Sequence, residues 1–140
     1  MPSHIFTRVG SWQDSVTTNR RSANAAKVEQ SGSNWLHALD YMVYANLQLG
    51  RDQDAFSNVN ESKTLTDLNP AAIPISYAMS AMPARYAVDR GMWKEAAELE
   101  PRSSRFAFAD AMVLFAKSLG AARSGDLPWQ KKVPKCLVRP

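Results

Sequence analysis

One cysteine, no long apolar run and no excess of charge over most of its length define what this 140-residue chain is not. Cys136 stands alone, so no disulfide can close within the chain and no cysteine-based zinc site exists. Six glycines and eight prolines are too few for collagen-like or elastic repeats. Met1–Gly10 lacks the apolar run of a signal-peptide core. The uncharged stretch Ala71–Ala84 falls short of the roughly 20 residues a bilayer needs, and it contains Pro74 and Pro83. These absences predict a cytoplasmic chain that enters no membrane. The charge excess is local. Seventeen Lys and Arg against thirteen Asp and Glu give +4. Lys131, Lys132, Lys135 and Arg139 all follow Asp126, beyond which there is no acid. Residues 1–126 are therefore neutral, and the pI of 9.4 belongs to the end of the chain. A nucleic-acid binder needs its bases on the folded face that meets the phosphates, so nucleic acid is not an expected partner.

What remains is an ordinary globular composition, 45% hydrophobic and 21% charged, sufficient for one domain. Its periodicity is helical. Trp35, Leu39, Met42 and Leu49 follow helical steps, and Leu36, Val43 and Leu47 widen the stripe. Phe106, Ala109, Val113, Ala116 and Leu119 repeat the pattern, and no run alternates as a strand would. The fold class is all-α. Ser11 with Asp14 reads as a capping box, Ser33 or Asn34 as the cap of a helix from Trp35, and Asp52 as the cap of the next. Gly50, Gly91 and Gly125 read as helix ends, and Pro70 and Pro101 stand where helices have stopped. Pro83 lies inside the helical stretch Ser76–Arg90. At about 3 kcal/mol for an interior proline, it predicts a kink or two shorter helices.

The glycines also carry a repeat. Gly10, Gly50, Gly91 and Gly125 stand 40, 41 and 34 residues apart. The first three open Gly10-Ser-Trp12-x-x-Ser15, Gly50-Arg-Asp52-x-x-Ala55 and Gly91-Met-Trp93-x-x-Ala96. In a helical hairpin, glycine makes the turn, an aromatic wedges the corner and a small residue lets the helices approach. This spacing resembles the tetratricopeptide repeat (TPR). Met1–Trp12, His37–Gly50 and Ala84–Trp93 are similar to segments of a group of bacterial TPR proteins. The resemblance spans residues 1–126. It implies an α-solenoid of antiparallel hairpins with about six to seven helices. The repeat units fall near 1–30, 33–69, 71–100 and 103–126, the first and last incomplete. The spacing exceeds the family's usual period, so second helices or loops must absorb residues. In that group the segment similar to Met1–Trp12 lies inside a longer chain, and this chain reads as a piece that begins midway through a repeat. Residues 127–140, with three prolines and four bases, leave the pattern and read as a basic, disordered tail. Without a closing helix, the last helix is expected to keep an apolar flank open to a second chain.

In TPR proteins the first helix of each hairpin lines a concave groove, at about two, six, ten and thirteen positions before the turn glycine. The resemblance thus selects His4 and Arg8, then His37, Asp40, Tyr44 and Gln48, then Arg85 and Asp89, and finally Arg123. It implies a groove for a protein or peptide partner, with Tyr44 as contact area and Arg85 available to a carboxylate. The Lys and Asn pattern that clamps a terminal carboxylate in TPR domains is missing. The plainer alternative is a solvated helix face, with Arg85 and Asp89 an i,i+4 pair. A structural or oligomerising piece without its own ligand is the second alternative. A third is a metal-dependent enzyme built on His4, His37 and Asp40, two imidazoles and a carboxylate with open positions. No Gly-x-Ser-x-Gly, phosphate loop or His-Glu-x-x-His occurs, so no catalytic residue and no cofactor are expected. Glu95, Glu98 and Glu100 read as a solvated face, and Met79, Met82 and Met92 as filler around Pro83.

Overall fold

Four glycines with left-handed backbone divide the chain where the spacing places its turns: Gly10 at φ +75°, Gly50 at +68°, Gly91 at +63° and Gly125 at +76°. The computed structural model describes residues 2–66, 68–69, 72–102 and 104–125. The basic segment 127–140 with Cys136, and the stop signal at Pro70, lie outside them. Among the described residues there are seven helices and no strand: α1 (Pro2–Arg8), α2 (Trp12–Val28), α3 (Gly32–Gln48), α4 (Asp52–Lys63), α5 (Ile73–Asp89), α6 (Trp93–Ala97) and α7 (Ala107–Ser124). Among the described residues no helix is long and apolar enough to cross a membrane. Each glycine turn follows an odd-numbered helix. The α2–α3 turn has no glycine, and Gln30 takes the left-handed conformation there, at φ +54°.

The helix ends differ from the expectations in four places. Ser11 stands at the cap of α2, but its hydroxyl donates to Asp14 Oδ2 at 2.6 Å instead of accepting a backbone N–H. The third helix starts at Gly32 behind Ser31, a turn earlier than Ser33 or Asn34 would allow. Arg51 precedes α4, and Asp52 is its first residue. Pro83 does not divide its helix: α5 runs unbroken from Ile73 to Asp89. Packing explains this, because Met79 and Met82, before the proline, and Ala84 and Ala87, after it, are all buried.

Helices pack against their sequence neighbours, and α1 also meets α3, α3 meets α5 and α5 meets α7. The core centres on α3. Leu36, Leu39 and Val43 are fully buried and pack with Met42, Ala23 of α2, Val59 of α4, and Ile75, Ala78, Met79 and Met82 of α5. The three small residues at matched offsets behave alike: Ser15, Ala55 and Ala96 are all fully buried. Trp93 and Trp12 lie over their turn glycines, the Trp93 ring 3.6 Å from where a Cβ on Gly91 would stand. Between Gly10 and Gly50 the longer spacing is taken up by α2 and α3, seventeen residues each, whereas α6, in the shorter interval from Gly91 to Gly125, has only five. On the side of the even-numbered helices, Glu61 of α4 gathers three donors. Its carboxylate accepts from Arg20 at 2.8 Å, Lys27 at 2.8 Å and Trp35 Nε1 at 3.1 Å, which ties α2, α3 and α4 together.

Candidate functional site

The odd-numbered helices carry one continuous face. Thr7 of α1, His37, Asp40, Tyr41 and Tyr44 of α3, and Tyr77 and Arg85 of α5 line a depression of about 380 Å³. Tyr77 and Arg85 also belong to a second depression of about 420 Å³ between α5 and α7. Its walls are Ala81, Ala84 and Val88 of α5 with Met112 and Phe115 of α7, and Asp89 stands among them. The face thus runs from polar and aromatic at α3 to apolar at α7.

Helical spacing positions these groups. His37, Asp40, Tyr41 and Tyr44 are separated by three, one and three residues, so they project from one side of α3. The other side, with Leu36, Leu39 and Val43, anchors the helix in the core. Asp40 is buried, and its Oδ1 accepts from the Arg85 guanidinium at 2.5 Å. Burial alone would lower the Arg85 pKa, but the charge and hydrogen bond of Asp40 raise it. The guanidinium lies 5.5 Å from the Tyr44 ring, whose edge meets Trp12 with centroids 5.5 Å apart. Tyr41 is pushed above the ordinary phenol value by burial, then by Asp40 and Tyr77. His4 stacks on Tyr41 at 4.7 Å, and its Nε2 lies 3.1 Å from Nε2 of His37.

Of the residues selected from the sequence, His4, His37, Asp40, Tyr44 and Arg85 meet at this face, and Asp89 lies beside Arg85 in the second depression. Three others stand apart. Arg8 and Gln48 are exposed outside both depressions, and Arg123 lies over the Trp93 ring at 5.5 Å. Two readings are corrected. Arg85 forms its ion pair with Asp40, not with Asp89 one turn away. Asp40 is thereby engaged by Arg85 of α5, while His4 and His37 face each other. Among the described residues no three His, Cys, Asp or Glu side chains could together hold a metal ion. Sequence reasoning missed Tyr41 and Tyr77, which lie outside the offsets counted from the glycines, and Met112 and Phe115, which stand thirteen and ten residues before Gly125 but are not among the polar residues selected. Its offset of ten before Gly125 was the available signal for Phe115, which is 65% exposed.

Compared with protein-family models, with curated proteins and with solved structures, the chain gives no significant match. The likeness to TPR proteins therefore rests on the residues quoted above.

Proposed function

We propose that this chain is a non-catalytic protein-interaction module, a TPR-like α-solenoid whose odd-numbered helices take a peptide or helix of a partner protein. One observation carries the reading: α1, α3 and α5 bring three tyrosines, His37 and a partly buried ion pair to one depression, continuous through Tyr77 and Arg85 with an apolar one. Tyrosine offers rigid contact area with a polar tip, the chemistry that recurs at protein interfaces. The internal pairing of Asp40 with Arg85 leaves this face without a strong field of one sign, which suits a mixed polar and apolar segment.

The outer side of α7 favours a second reading, a structural piece that pairs with another chain. Phe108, Leu114 and Phe115 are 42%, 49% and 65% exposed there. The two readings separate at Leu114, which is on the flank but not in the depression. Affinity capture on the full chain, with quantitative mass spectrometry, tests them against each other. The groove reading expects a protein that is retained by the native chain and by Leu114→Glu but lost with Tyr77→Ala. Loss with Leu114→Glu alone, or equal recovery on all three baits, contradicts it. Tyr77 suits this test because it is exposed, whereas replacing Arg85 would strand the buried Asp40 carboxylate.

A further inference from the structure

Nothing in a partner-binding face requires two histidines to meet, yet His4 of α1 and His37 of α3 do. Their Nε2 atoms are 3.1 Å apart while the ring centroids are 5.3 Å apart and the planes are inclined at 75°. The nitrogens thus point at one another and the rings do not stack. Such a pair holds one proton: one imidazole donates and the other accepts. These rings and the stack of His4 on Tyr41 tie α1 to α3, whereas Thr7 ties it to Ser15 of α2 at 3.0 Å.

One added proton leaves that bond in place, imidazolium to imidazole; a second added proton would turn two N–H groups and two positive charges on each other. The charged groups around the pair give it no relief. Arg8 on α1 is positive. On α3, Asp40 is held by Arg85, and Tyr41 offers only its phenol. On α2, the Asp14 carboxylate takes the Ser11 hydroxyl.

We propose that the His4–His37 contact is an acid-released clasp: a second added proton drives the rings apart and frees α1 from α3, while Thr7 and Ser15 keep it on α2. Burial, His37 and Arg8 hold the His4 imidazole below its ordinary value, which favours the neutral form in the docked state. The sign follows. The unfolded or undocked chain binds the proton more readily, so docking is complete above the ordinary value of 6.5 and weakens as pH falls below it. The inference holds whether or not the face has a partner.

The test is NMR on the full chain between about pH 7.5 and pH 5, the range in which histidine changes charge. On acidification, the Val9 and Ser11 amides, bonded to Ile5 and Phe6, should exchange about tenfold faster after correction for intrinsic rates. In His4→Gln, whose amide can hydrogen-bond without titrating, that acceleration should vanish. Equal acceleration in both proteins, or none in the native chain, overturns the proposal. Imidazole nitrogen shifts decide the case if the variant fails to dock: the clasp requires the His4 titration to move toward its ordinary value in His37→Gln, and an unmoved His4 titration refutes it.

Discussion

Removing Arg85 should harm this protein far more than removing the pair to which it belongs. Its guanidinium faces a carboxylate that is 7% exposed, and a buried charge left alone is costly. Arg85→Met should lower stability by about 3 kcal/mol in urea denaturation, and Asp40→Asn with Arg85→Met should recover at least half of that loss. Equal loss in the single and double variants would mean that the pair is not energetically coupled. Glu61 gives the matching prediction on the opposite side. Burial would raise its pKa, but the hydrogen bonds from Lys27, Arg20 and Trp35 outweigh this and lower it. A depressed carboxylate stabilises the fold above its unfolded value and loses that contribution as pH falls through the folded one. Glu61→Gln should cost about 2 kcal/mol at neutral pH, and its deficit relative to the native chain should shrink in acid. A deficit that does not change with pH would contradict the assignment.

At the scale of elements, the most exacting contact is α6 against α7. A Cβ on Gly120 would lie 2.5 Å from the Ala97 nitrogen and 2.6 Å from the Trp93 carbonyl oxygen, both backbone atoms that cannot swing aside. Alanine normally improves a helix by about 1 kcal/mol over glycine. Gly120→Ala should nevertheless destabilise by about 1–3 kcal/mol, because overpacking outweighs propensity. A rise in melting temperature would show that α7 is free to move off α6. The helix ends were legible in the sequence wherever a glycine had to turn left-handed, at Gly10, Gly50, Gly91 and Gly125. The starts were less so. Ser31, Ser33 and Asn34 are all able caps, and the Trp35 amide bonding to the Ser31 carbonyl at 3.0 Å sets the start. Pro83 misled for a similar reason, since propensity is local and the packing of Met79 and Met82 is not. Counting back from the glycines located His37, Asp40, Tyr44 and Arg85. The same count reaches Met112 and Phe115, thirteen and ten before Gly125, which a choice of polar residues passed over, whereas Tyr77, fourteen before Gly91, falls outside it.

For the whole molecule, the chain places polar and aromatic groups on the odd-numbered helices, a charged knot around Glu61 on the even-numbered ones and apolar side chains on the flank of α7. These three surfaces differ enough in chemistry to be told apart by one experiment. Lys117 of α7, paired with Glu100, and Arg90 at the end of α5, paired with Asp52 at 2.7 Å, fix hairpin to hairpin without occupying the candidate face. The decisive measurement is oxidative footprinting of the tyrosines in the native chain, alone and with the protein it captures. If a partner lies across the odd-numbered helices, Tyr41, Tyr44 and Tyr77 should all lose reactivity, while Tyr86, packed against Phe56 with ring centroids 5.5 Å apart, stays unchanged. Protection of Phe108 and Leu114 with those three tyrosines unaltered would place the partner on the α7 flank and contradict the groove.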